Sequence, residues 1–212
     1  MKGYVMQYNR QYKDIYKIAH TILFFIENDM HHFGITKLMK LFFYADKYHL
    51  EKYKKTIFNQ EYTKLKHGPV PESIHALLLD TLSLKLDNGY PLEYEEEAKI
   101  ISNFIDINTE QLDDKKKMHK LQSRENKQAN KDFFSESELE ILEKVSKEFK
   151  NMNTNDISSL SHETRAWKSV DMREPISIYN LVDNLEDRKF INYLYEEQFS
   201  FRNNFDIHKI GN

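Results

Sequence analysis

The chain of 212 residues contains no cysteine, which excludes disulfide staples and thiolate metal sites and makes a reducing compartment the simplest expectation. Five glycines and four prolines leave little material for flexible or proline-rich linkers. No apolar run approaches the length that spans a bilayer, and the opening MKGYVMQYNRQYKD lacks a continuous hydrophobic segment of the signal-peptide kind, so a soluble, cytoplasmic protein without membrane contact is expected. The formal net charge of −3 lacks the basic excess that general nucleic-acid affinity requires. Catalytic signatures are missing as well. No glycine-rich phosphate loop, no HExxH and no serine in a strained-turn motif is present, although folding could bring His67, His75 and His162 together. The chain is therefore read as a non-enzyme with no catalytic residue, metal or cofactor. What is present is a globular composition, 40% hydrophobic and 31% charged, in a length that suits one domain with appendages.

The most informative stretch is residues 35–79. Ile35, Leu38, Leu41, Phe42, Ala45, Tyr48 and His49 recur at three- and four-residue intervals, the spacing of a core helix with a wide apolar side. Short runs of strand-favouring residues follow at Thr56, Ile57, Phe58 and at Tyr62 to Leu65, and Asn59-Gln60-Glu61 between them suggests a small hairpin. The hairpin is expected to end at a rigid corner made by Gly68, Pro69, Val70 and Pro71, because glycine reaches backbone angles closed to other residues and proline fixes its own. Pro71, Glu72 and Ser73 suit the first turn of a new helix that carries Ile74, Ala76, Leu77 and Leu78. The fold class expected is mainly α (α+β): a compact helical domain with a small antiparallel hairpin or sheet.

The runs KLMKLFFYADKYHL and TIFNQEYTKLKHGPVPESIHALL resemble the Panacea, or SocA-like, domain of bacterial and phage antitoxins. The shared elements are the leucine-rich helix at residues 38–41, Tyr44-Ala45-Asp46, His49-Leu50, a hairpin at residues 57–66 and the Gly68 to Pro71 corner. Ser135-Glu136-Ser137-Glu138-Leu139 and Leu160-Ser161-His162 through Trp167 match later elements, so the resemblance covers about residues 15–170. Order and spacing together carry it, more than any single piece.

Outside that stretch the expectations are local. Residues 1–14 read as an irregular lead-in, with Asp14 capping a helix that carries Ile15, Ile18, Ala19, Ile22, Phe25 and Ile26 and stops at Gly34. His31 and His32 are not read as a metal site, since neighbouring side chains diverge. Glu93, Glu95, Glu96 and Glu97 form an acidic run that is either a solvated face or a docking patch for a basic partner. Phe104, Ile105 and Ile107 suit a further strand of the small sheet. Residues 108–132 read as a polar, Lys-rich insertion. Within it Asp113 to Lys131 is either a mobile surface loop or a nucleic-acid-facing one, and it lacks the aromatics of a single-strand platform. Ser135 and Glu138 form a capping-box pattern ahead of a helix, and Asn153 or Thr154 caps the next. Residues 171–212 are a C-terminal helical extension. Its last helix carries Leu181, Leu185, Ile191, Leu194, Tyr195, Gln198 and Phe199, and a polar tail begins at Phe201.

The resemblance implies an antitoxin that neutralises a protein toxin encoded nearby by direct protein–protein binding, covering its active or substrate-binding surface. It implies no oligomeric state and no direct nucleic-acid partner. Candidate partner contacts are Tyr44, Asp46, His67, His162 and Trp167, together with the acidic run, and Gly68, Pro69, Val70 and Pro71 are the motif that holds the surface. His162 and Trp167 have a purely structural alternative as packing groups. Two other roles remain open: a proteolytic adaptor that delivers the toxin for degradation, and a nucleic-acid-binding transcriptional regulator.

Overall fold

The computed structural model describes residues 2–87, 89–111 and 117–207, with side chains over 14–87, 89–111 and 117–196. Eight helices and two small antiparallel sheets make up the described part, in agreement with a mainly α domain carrying a small sheet.

Helix α2 (Ile35–Tyr53) is the axis of the core. From Ile35 to Leu50 nearly every side chain on it is buried, and α5 (Glu136–Phe149), α6 (Thr154–Glu163), α3 (Glu72–Leu86) and the strands β2 (Gly68–Pro71) and β4 (Lys117–Ser123) all pack against it. A helix enclosed on all sides buries its polar residues too, and each must then find partners inside. Lys37 donates to the carbonyls of His31 (2.6 Å), Lys150 (3.1 Å) and Met152 (2.7 Å), so its three protons close off carbonyls at the end of α5 and in the turn between α1 (Lys2–Glu27) and α2. Lys47 pairs with Glu51 and with Asp183 (2.8 Å) and donates to Leu181 O (3.2 Å). His49 donates from Nδ1 to Lys55 O (2.6 Å) and meets Ser137 Oγ through Nε2 (3.2 Å). Burial holds its pKa below the ordinary value.

Two local expectations are met directly. Ser135 Oγ accepts from Glu138 N and Ser135 N donates to Glu138 Oε2 (2.8 Å), completing the capping box of α5. Glu138 also pairs with Lys17 at 2.7 Å and ties α5 to α1. Asn153 caps α6 by accepting from Asn155 N and Asp156 N, both at 3.0 Å.

Other expectations are corrected. Helix α1 runs over Lys2–Glu27, so the first residues are helical, Asp14 lies within the helix, and it ends before the histidine pair. Strand β1 (Tyr62–Leu65) pairs with Gly68–Pro71 and not with residues 56–58. The Gly-Pro-Val-Pro corner is itself β2, an edge strand in the order β2-β1-β5, with β5 at Pro175–Ile176. Its prolines fit because Leu65↔Gly68 and Thr63↔Val70 are the hydrogen-bonded pairs, whereas Lys64, opposite Pro69, spends its backbone on Glu174 O and Arg173 N. Strand β3 (Ile105–Gln111) forms a separate sheet with β4, so residues 117–123 of the Lys-rich insertion are paired strand and not loop. Residues 112–116 of that segment lie outside the described part. Leu121 is buried and its N–H donates to Phe33 O (3.1 Å), while Gly34 sits so close that a Cβ there would lie 2.9 Å from Met118 Cγ. That contact explains the glycine: β4 passes against the turn between α1 and α2. Helix α4 (Glu95–Ser102) lies along α3, α7 spans Arg165–Lys168, and α8 runs over Leu185–Ile207, through the segment expected to be a polar tail.

Candidate functional site: a cationic cleft at the hairpin turn

The hairpin β1–β2 is held from both sides. On the α2 side Asp46 is fully buried, and its carboxylate accepts from Ile57 N (2.6 Å), Phe58 N (3.0 Å) and the Tyr62 hydroxyl (2.8 Å). Burial pushes its pKa up to about 6, against the pull of those three donors. The donors also explain why residues 56–58 are not a strand: their N–H groups are spent on a carboxylate. Tyr44 is buried two residues earlier, its ring 4.5 Å from that of Phe149, and burial raises its pKa.

On the other side α6 and α7 close over the turn. Trp167 donates from Nε1 to Leu65 O (3.1 Å), stacks on His162 with ring centroids 4.2 Å apart, and carries Lys64 Nζ 4.0 Å above its ring. Burial, and then the charge of Lys40, keep His162 below its ordinary pKa. Gly68 sits at φ +105°, where a side chain is strained, and a Cβ there would overlap Ser161 Oγ and lie 2.9 Å from Lys40 Nζ. Glycine is thus demanded at this point by backbone angle and by space.

Lys40 is the unusual member. It is closed to solvent, and its one hydrogen-bond acceptor among the described residues is Pro69 O, at 2.5 Å, a carbonyl that the edge strand turns away from β1. Lys37, one turn away, has three acceptors; Lys40 has one. Burial pulls its pKa down to about 7. Above it opens a cleft of about 590 Å³, whose wall also carries Lys66, His67, His75 and Arg173. Met39, Leu65, Val70 and Met172 give the cleft an apolar side, and no carboxylate lines it. Burial, followed by Lys40, lowers the pKa of His75.

The sequence candidates therefore divide. His67 is exposed on the cleft, and His162 and Trp167 are half-buried beside it. Tyr44 and Asp46 are inside the scaffold. Of the three histidines, His67 and His75 share the cleft wall, and His162 stands behind it against Trp167. Among the described residues no cluster of His, Asp or Glu fits a metal ion. The acidic run is elsewhere: Glu95, Glu96 and Glu97 form the first turn of α4, where the helix dipole favours them. Glu95 and Glu96 both pair with Lys99 at 2.8 Å. Glu93 N and Tyr94 N donate to Asp80 Oδ2 (2.9 and 2.7 Å) at the approach to that turn. Sequence reasoning passed over Lys40, Lys64, Ser161 and Arg173. For Lys40 a signal existed, since a lysine at its place in KLMKLFF lies between Met39 and Leu41 and has Phe43 and Tyr44 one turn on.

Among the described residues no helix is long and apolar enough to cross a membrane. No curated protein and no solved structure matches the chain. A family model described as "Antitoxin SocA-like, Panacea domain" does, over residues 38–168. That span holds both sides of the hairpin brace, from the Tyr44-Ala45-Asp46 segment through Gly68 to Pro71 and on to Trp167. Covering more than half of its length, the match establishes that the chain belongs to the SocA-like antitoxins of the Panacea-domain family.

Proposed function

We propose that the protein neutralises a cognate protein toxin by binding it directly, and that the face around the β1–β2 turn makes the contact. The cleft is the observation that supports this reading. It is built largely from the matched span, and its rim offers Lys66, His67 and Arg173 to solvent with no hydrogen-bond or ion-pair partner among the described residues. Unpaired donors beside an apolar wall and a half-buried tryptophan have the make-up of a contact surface with an anchor. In this reading Tyr44 and Asp46 act from inside by holding the hairpin, whereas His67, His162 and Trp167 stand at the contact. The first turn of α4, with Glu93, Glu95, Glu96 and Glu97, serves as a second patch that steers a basic toxin surface during encounter.

Co-expression with the product of the neighbouring gene, scored by growth and co-purification, tests the proposal. Rescue of a toxic neighbour together with a stable complex is the expected result. His67→Ala should keep the thermal stability of the parent and weaken neutralisation. A toxic neighbour that is neither rescued nor co-purified would refute the reading, as would one that is rescued only through a shortened toxin half-life without a lasting complex.

A further inference from the structure

We infer that the cleft above Lys40 receives an acidic side chain, flanked by an apolar one, from the protein that docks on this face; the inference rests on the contact surface proposed above. The electrostatics are one-sided. Four basic groups, Lys66, His67, His75 and Arg173, converge on one concavity, and none has a hydrogen-bond or ion-pair partner among the described residues. Glu72 is the carboxylate whose charge reaches His75, and it points along the exposed start of α3 without lining the cleft. Beneath them lies Lys40 with a single acceptor, where the neighbouring buried lysines Lys37 and Lys47 are each fully engaged. A buried ammonium with spare donors and no counter-charge makes the concavity favourable for an anion, because its field is weakly screened there.

The walls decide which anion. Met39, Leu65, Val70 and Met172 cover one side, and such a surface gains by burying alkyl groups. A glutamate or aspartate next to a leucine-like side chain satisfies both walls. A phosphodiester backbone would leave the apolar wall without a partner, and an uncharged apolar segment would leave the cations unpaired and partly dehydrated. The neighbouring edge strand does not offer a competing mode of recognition, since Pro69 and Pro71 remove the outward N–H groups that strand addition needs.

The test uses the whole chain with 13C-labelled methionine methyls, because Met39 and Met172 both line the cleft. Acetyl-Leu-Glu-Leu-amide, its Gln counterpart and inorganic phosphate are titrated in turn. The Glu peptide should shift both methyls saturably, with the Gln peptide about ten-fold weaker, the discrimination expected of a charge-assisted hydrogen bond. Arg173→Gln and His75→Gln, at an exposed and a half-buried position, should each weaken the Glu peptide without lowering the melting temperature. Equal response to the two peptides, no saturable response to either, or a tighter response to phosphate would overturn the inference. The same variants separate this inference from the toxin reading. A complex with the neighbouring gene product that keeps its affinity in Arg173→Gln and His75→Gln sinks the cleft and spares the antitoxin contact. Peptide binding without any such complex does the reverse.

Discussion

Gly68→Ala is the substitution on which the geometry of the hairpin turn can be judged. Two separate costs are expected. Alanine at φ +105° stores backbone strain of about 1–3 kcal/mol, and the new methyl overlaps Ser161 Oγ and crowds Lys40 Nζ at 2.9 Å, an overpacking cost of about 1–3 kcal/mol. The sum, about 4 kcal/mol, is a large part of what holds an ordinary domain together. For a chain of this size it corresponds to a melting temperature lower by on the order of 10 °C. Ser161→Ala separates the two contributions. Alone it loses the hydrogen bond to Ser158 O, 2.7 Å, worth about 1 kcal/mol. In the Gly68→Ala background it removes the overlapping hydroxyl, so the pair should recover about 1–3 kcal/mol relative to additivity, while the torsional part stays. Urea unfolding of the four proteins, with the m-values compared, measures this cycle directly. A Gly68→Ala loss below about 1 kcal/mol, or strictly additive costs, would refute the account of why glycine stands there.

Three further outcomes follow from the buried charges. Asp46→Ala leaves Ile57 N, Phe58 N and the Tyr62 hydroxyl without an acceptor, and urea unfolding should show a loss of about 3 kcal/mol or more. Neutralisation should fail in step with folding, so that any variant population that remains folded still binds. Lys37→Met removes a donor from three carbonyls, one of which, Lys150 O, still accepts from His31 N, and Lys40→Met removes one from Pro69 O alone. The first should therefore cost about 2 kcal/mol more than the second, by the same unfolding assay. The pH dependence has two arms of opposite sign. Asp46, raised to about 6 in the folded state, contributes stability that is complete below its unfolded value and is lost as pH rises to about 6. Lys40, lowered to about 7, contributes stability present above its unfolded value and lost as pH falls to about 7. Unfolding free energy should thus fall with pH over roughly 4 to 6 and rise over roughly 7 to 10.5, each arm on the order of 3 kcal/mol or more. Asp46→Asn should flatten the lower arm and Lys40→Met the upper one.

Several parts of this architecture are legible in the residues alone because they rest on neighbours in sequence. The three- and four-residue recurrence from Ile35 announces a core helix, Ser135 and Glu138 announce a capped helix start, and Asn153 announces another. The Gly68 to Pro71 corner is visible as a rigid element, and its order relative to Tyr44-Ala45-Asp46 and to His162 and Trp167 is enough to place the chain in its family. The pairing of strands is not legible in this way. Residues 56–58 have the composition of a strand, and they are denied that role by Asp46, eleven residues before Ile57, whose carboxylate takes their amide protons. The polar, Lys-rich composition of residues 117–123 suggests a loop, and pairing with β3 and the single buried Leu121 make it a strand.

The candidate site shows the same division. His67 and the corner were within reach of sequence reading, whereas the acidic run is a helix start remote from the cleft, and Asp46 is a brace inside the fold. By itself the sequence determined the core helix from Ile35, the helix after Pro71, the capped helix starts at Ser135 and Asn153, and which family the motifs belong to, since propensity, periodicity and capping are properties of residues a few positions apart. Only the tertiary structure decided that Lys37 would find two of its three acceptors 113 and 115 residues away while Lys40, three positions on, would find one carbonyl and an open cleft. The worth of a buried charge depends on the partners that packing brings to it, and those partners are set by the whole chain.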